Sequence, residues 1–257
     1  MSNIFFNFEK IGEPIAKIVG GKYNNKLVYL YAPLPNQEEE EITKPFKELV
    51  LTDGIFQPIP NPFKERAVGY LTGRSGSGKS YQTGKYLEQY KKQNKNNKIY
   101  LFSPVKEDDA LDKYVKRIEL DESLYKEPFT LEQFKDTCVI FDDTDTISNK
   151  KIKDAVYTLL NSILEQGRHH NITCLITNHL GADRNVTKRV LNECEWMCFF
   201  PNSGITANLK YTLENHLGLD KHQIQKIKDT NSRHAYVYKN YPPIVMTERN
   251  LYLLNEK

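Results

Sequence analysis

At 257 residues, 39% of them hydrophobic, the chain is long enough to bury one sizeable core, or one core with a small appendage. A formal charge of +3 and a pI near 8.4 exclude a strongly basic global field, so any contact with nucleic acid has to come from a local patch. No apolar run approaches the roughly 18 residues of a membrane-spanning helix, and Met1-Ser2-Asn3 opens no secretory signal; the expectation is a soluble intracellular protein with no membrane span of its own. Cys138, Cys174, Cys194 and Cys198 lie in or beside apolar runs without C-x-x-C spacing. They read as buried free thiols in a reducing compartment, and nothing in their spacing asks for zinc.

Residues 1–65 read as a β-rich extension. Asn3–Phe8 carries three phenylalanines, Lys26–Tyr31 and Glu48–Leu51 are strand candidates, and Gln37–Glu41 is a solvated acidic loop. Gln57–Lys64 is too rich in proline for a central strand or a helix interior.

The apolar run Ala67–Thr72 predicts a buried strand and Tyr81–Lys92 a helix, and between them stands Gly73-Arg74-Ser75-Gly76-Ser77-Gly78-Lys79-Ser80. This fits G-x-x-x-x-G-K-[ST] in the strand–loop–helix setting that gives the pattern physical meaning. Four fixed positions match by chance in roughly one chain of this length per hundred, and the additional Gly76 and the preceding strand lower that further. Glycines let successive N–H groups converge on a phosphate while the helix N-terminus adds partial positive charge. Gly73, Ser75, Gly76, Ser77, Gly78, Lys79, Ser80 and Tyr81 are therefore the candidate nucleotide contacts. Lys79 would reach the β- and γ-phosphates, and the Ser80 hydroxyl would hold Mg²⁺.

Ile99–Ser103 is a second buried strand, preceded by lysines that form either a solvated helix end or phosphate contacts. Residues 105–136 suggest one or two short surface helices. Thr137–Phe141, fully apolar, ends in Asp142-Asp143. A carboxylate emerging at a sheet edge is what a Walker B element needs: Asp142 would hold Mg²⁺, and Asp143 would orient or deprotonate the attacking water. Asp145 is an alternative for either task, and the second and third acids also suit the start of a turn.

Lys151–Gln166 is an amphipathic helix ended by Gly167. Arg168-His169-His170 leads into the strand Ile172–Thr177, whose polar tip Asn178-His179 is placed to touch a γ-phosphate. Arg184–Cys194 predicts a helix, Trp196–Phe200 a strand, and Ile205 to Leu217 a helix stopped by Gly218. Asp220 with Gln223 forms a capping box for a last helix. His234–Tyr238, Ile244–Met246 and Leu251–Leu254 predict terminal strands, the first two separated by Asn240-Tyr241-Pro242-Pro243.

Taken in order, GRSGSGKS, VIFDD and GRHHNITCLITNH resemble the DNA-packaging ATPases of poxviruses and giant DNA viruses, within the FtsK–HerA superfamily of ring-forming P-loop motors. The resemblance covers about residues 66 to 200. It implies an α/β P-loop NTPase of RecA/ASCE type, a mostly parallel sheet flanked by helices, with the strand after Arg168 between the P-loop and Walker B strands. Small β-rich additions flank the core, giving 1–65 as extension, 66–233 as ATPase core and 234–257 as terminal strands. Arg168 matches the arginine finger that acts on a neighbouring subunit's nucleotide. Where the family often has Thr-Gln, this chain has Asn178-His179. The implied activity is hydrolysis of ATP with Mg²⁺ to drive double-stranded DNA through a homo-oligomeric ring, pentamer or hexamer, into a viral capsid. Capsid, inner-membrane or portal components would be partners, and the location would be the virion and the viral factory of the host cytoplasm. Two other readings remain: a P-loop kinase of a nucleoside or other small molecule, and a non-catalytic nucleotide-dependent assembly protein. The chain shows no arginine-rich lid for the first, and its intact Lys79, Ser80, Asp142 and Asp143 disfavour the second.

Overall fold

The structure, a computed structural model, describes residues 4–33, 42–179, 184–239 and 243–254, with the backbone alone at 184–186. The acidic loop at Gln37–Glu41 and the link Asn240-Tyr241-Pro242 lie outside the described residues.

The chain begins with β1 (Phe5–Asn7), β2 (Glu13–Val19), β3 (Leu27–Tyr31), β4 (Glu48–Val50) and β5 (Ile55–Pro58). Four of these make a small antiparallel sheet in the order β1-β3-β2-β5. β2 and β5 were not expected. Pro14 and Lys17 interrupt β2 as an apolar run and Gln57 and Pro58 interrupt β5, and the structure accommodates Pro14 at an irregularity in the β2–β3 register and Pro58 on an edge strand.

There follow β6 (Val68–Thr72), α1 (Lys79–Gln93), β7 (Ile99–Phe102), β8 (Lys116–Ile118), α2 (Ser123–Lys126), β9 (Cys138–Asp142), α3 (Lys150–Gln166) and β10 (Thr173–Asn178). The chain continues through α4 (Arg184–Glu193), β11 (Trp196–Phe199), α5 (Ala207–Asn215), α6 (Lys221–Asp229), β12 (Ala235–Tyr238), β13 (Ile244–Thr247) and β14 (Asn250–Leu253). The large sheet runs β4-β14-β13-β12-β11-β6-β10-β9-β7-β8. From β11 to β8 neighbouring strands are parallel; from β11 to β4 they are antiparallel. β10 lies between β6 and β9, as the resemblance implied.

β6, β9, β10 and β11 are buried along their whole length, which is why each reads as a continuous apolar run. Val139 and Phe141 share one core with Val156, Leu160 and Ile163 of α3. Cys138 and Ile140, pointing the other way, share a second with Tyr86, Leu87 and Tyr90 of α1 and with Ile18 and Val28 of the small sheet. Each such side chain contributes about 1.5–3 kcal/mol on burial. The tight fit shows at Gly69, where an added Cβ would lie 2.1 Å from the ring of Trp196 on the neighbouring strand. All four cysteines are buried and free.

Residues 105–136 differ from expectation. They hold the edge strand β8, the single turn α2 and a 3₁₀ turn at Leu131–Phe134. Lys116-Arg117-Ile118 has no apolar run because an edge strand tolerates, and is protected by, exposed charge. The Asp220–Gln223 capping box is present at α6. At the C-terminal end of α3 the Arg66 guanidinium donates to the carbonyls of Ile163 (2.6 Å) and Leu164 (2.9 Å), matching a cation to the negative end of the helix dipole.

Candidate nucleotide-binding site

The parallel strands β6, β10 and β9 all end at one edge of the sheet, and their tips bring together groups far apart in sequence. After β6 the chain turns through the glycine loop, where Gly78 adopts φ 107°, a left-handed conformation that a side chain would strain, and α1 starts at Lys79. Lys79 is 7% exposed. Its ammonium donates to the Gly73 carbonyl at 3.2 Å and stands 3.6 Å from Asp143 Oδ1.

Asp142 and Asp143 point to different surroundings. Asp142 is buried, accepting the Ser103 hydroxyl on Oδ2 at 2.8 Å and the Thr177 hydroxyl on Oδ1. Asp143 bends out of the strand at φ 43°, its N–H donating to the Thr177 carbonyl at 2.9 Å, and starts a 3₁₀ turn over Thr144–Thr146. Burial raises the Asp143 carboxyl above its ordinary range; the Lys79 ammonium opposes this, the Asp142 charge adds to it, and the net shift is upward. The Asp145 main-chain carbonyl accepts from the Lys153 ammonium, and the Asp145 charge adds to the upward shift at Asp143.

His179 spans the site. Its Nδ1 lies 3.1 Å from the Gly73 carbonyl, which can only accept, so Nδ1 carries a proton. Nε2 is left 3.5 Å from Asp143 Oδ2. Asn178 is 4% exposed and its Oδ1 has no hydrogen-bond partner. A cavity of about 130 Å³ beside the loop is lined by Thr72, Gly73, Arg74, His179, Phe200 and Thr206.

The sheet thus gathers Gly73, Lys79, Asp143, Asn178 and His179, with Asp142 behind them and Ser80 and Tyr81 in the first turn of α1. Arg168 is elsewhere. It is exposed at the opposite edge, paired with Glu65 at 3.1 Å, and the six residues of β10 put roughly 20 Å between it and the loop of its own chain. His170 pairs with Glu132 at 3.2 Å. Sequence reasoning missed Ser103 and Thr177 as the groups that fix Asp142. Each is a hydroxyl at the tip of a strand beside β9, a signal that becomes visible only once strand order is known.

Among the described residues no cluster of three or more His, Cys, Asp or Glu side chains forms a metal cage. Mg²⁺ in nucleotide sites takes one or two protein oxygens together with substrate phosphates, and the donors here, the Ser80 hydroxyl and a carboxylate, are hard oxygens of that kind.

The chain matches no protein-family model. EssC ATPases 2 and 3 from Geobacillus thermodenitrificans align with 88% of this chain and 49% of theirs at 14% identity and a TM-score of 0.50, a likeness that shows the P-loop ATPase fold. The genome-packaging NTPase B204 from Sulfolobus turreted icosahedral virus 2, in complex with sulfate, aligns with 76% of this chain and all of its own at 17% identity and a TM-score of 0.47. The uncharacterized protein V3 of Sputnik virophage is 38% identical over 247 residues, spanning 95% of this chain and 96% of that protein. An identity of that level along nearly the full length of both proteins places this chain in the same family as protein V3 of Sputnik virophage.

Proposed function

We propose that the chain is an ATP-hydrolysing motor that drives double-stranded viral DNA into a capsid, acting as a ring of five or six copies. The observation that carries this reading is the convergence of Lys79, Asp143 and His179 on the glycine loop, at distances of 3.1–3.6 Å. The motif resemblance and the viral relative supply its biological setting.

In this reading the β- and γ-phosphates take the Lys79 ammonium, which leaves Asp143. Ser80 and Asp142 would hold Mg²⁺, which would supply charge neutralisation at the phosphates. Asp143, relieved of Lys79 and with its affinity for a proton raised, accepts a proton from the attacking water, while His179 keeps its carboxylate oriented. Asn178 lies at the tip of β10, where its amide N–H would donate to a γ-phosphate oxygen. Arg168, exposed and remote from its own loop, acts on the nucleotide of an adjacent copy; arginine fingers contribute about 10³–10⁵ in rate. Capsid, inner-membrane or portal components would anchor the ring, in the virion and the viral factory.

The test is phosphate release measured with and without duplex DNA across a protein concentration series. A concentration threshold and stimulation by DNA are expected. Turnover independent of both, or transfer of phosphate to a small acceptor, would overturn the motor reading.

A further inference from the structure

The acidic residues and His179 lie on one flank of the P-loop strand, where β10 and β9 end. A triphosphate whose terminal group meets them lays its nucleoside end across the first turn of α1, toward the other flank, where β11 and β12 lie. β12 is antiparallel to β11, with Ala235 opposite Phe199, so the start of β12 returns to the same sheet edge as the glycine loop.

Two groups wait there. Tyr81, directly after Ser80, is 57% exposed between the buried Lys79 and Gln82. The Lys85 ammonium sits 5.5 Å from its ring centroid. Arg233, just before β12, has a side chain 83% exposed yet firmly held: Glu248 accepts from its Nε at 2.9 Å, its Nη2 at 2.7 Å and its main-chain N–H at 3.1 Å. The two are tied together through their neighbours, because Tyr236 donates to Gln82 Oε1 at 3.1 Å and Gln82 Nε2 meets His234 Nδ1 at 3.0 Å. An exposed aromatic ring and an ordered, exposed guanidinium, beside a phosphate loop and on its nucleoside side, have already met the ordering cost that a ligand would otherwise impose.

We infer that Tyr81 and Arg233 form the subsite for the nucleobase, which stacks on the phenol ring and under the guanidinium plane. This rests on the nucleotide-binding reading above and extends it to residues outside the phosphate loop. Stacking engages the π-face that every base presents, so the subsite holds ATP and GTP alike. Glu248 is the positioning residue that keeps Arg233 in place.

Calorimetric titration with ATP, GTP and inorganic tripolyphosphate separates the base from the phosphates. Wild type should bind either nucleotide more tightly than tripolyphosphate. Tyr81→Ala and Arg233→Ala should each weaken ATP and GTP by about tenfold and leave tripolyphosphate unchanged, while Tyr81→Phe should bind as wild type does. Equal affinity of the wild type for ATP and tripolyphosphate, or an equal loss of both in Tyr81→Ala, overturns the subsite while leaving the phosphate loop standing. So does a Tyr81→Ala protein with normal nucleotide affinity that loses only stimulation by DNA. Failure of the wild type to bind any of the three, or Lys79→Ala binding all three normally, overturns the nucleotide-binding reading itself.

Discussion

Replacing Asp143 by Asn tests the site where two explanations predict opposite signs. Lys79 Nζ stands 3.6 Å from Asp143 Oδ1, with the side chains only 7% and 20% exposed. At an effective dielectric constant of about 20, charges at that separation attract by roughly 4–5 kcal/mol. Desolvation of both partners offsets most of this, leaving a net coupling of about 1–2 kcal/mol. An incoming triphosphate has to break that pair to claim the ammonium. Asn keeps the shape and removes the charge, so ATP should bind about 5- to 30-fold more tightly. Turnover should meanwhile fall by about 10²–10⁴, the usual contribution of a general base. Titration with a fluorescent ATP analogue, alongside phosphate release from the same preparation, reads both effects. If Asp143 instead helped to hold the nucleotide, Asn would weaken binding; weaker binding, or turnover that persists, refutes the competition between carboxylate and phosphate for Lys79.

Two further outcomes follow from other parts of the molecule. Arg168→Ala should be inactive alone yet regain part of its activity when mixed with Asp143→Asn subunits, since each supplies the group the other lacks; mixed preparations as inactive as either parent would argue against a shared site. Burial lowers the His234 imidazole to about 4, and its Nδ1 is committed to accepting from Gln82, so the folded state holds it neutral. The unfolded chain takes up that proton near pH 6.5, so stability is complete above pH 6.5 and falls by up to about 3 kcal/mol as the pH drops toward 4. Thermal denaturation of His234→Gln should show a shallower loss over that window, and an unchanged slope would show that other groups set it.

The strands buried on both sides were the most legible from residues alone, although β3, the exposed β4 and the amphipathic α3 were also visible. β6, β7, β9 and β11 stand out because nothing polar is tolerated along most of their length, and β10 through its central Cys174-Leu175-Ile176. β8 escaped because an edge strand carries charge, and β2 because Pro14 and Lys17 break its run while its pairing partners supply the missing order. In the site, the loop and the acid pair were visible because each is contiguous. The hydroxyls that fix Asp142, and the reach of His179 to both Gly73 and Asp143, exist only because β10 lies between β6 and β9. No spacing along the chain encodes that adjacency.

Gln82, on the helix that follows the phosphate loop, finds both of its polar partners in His234 and Tyr236, more than 150 positions later. During synthesis the loop therefore leaves the ribosome long before the groups that secure its helix. A nascent subunit thus carries the whole glycine loop before the two side chains that bond Gln82 have been made, so that part of the helix's tertiary fastening is completed only when the start of β12 is in place.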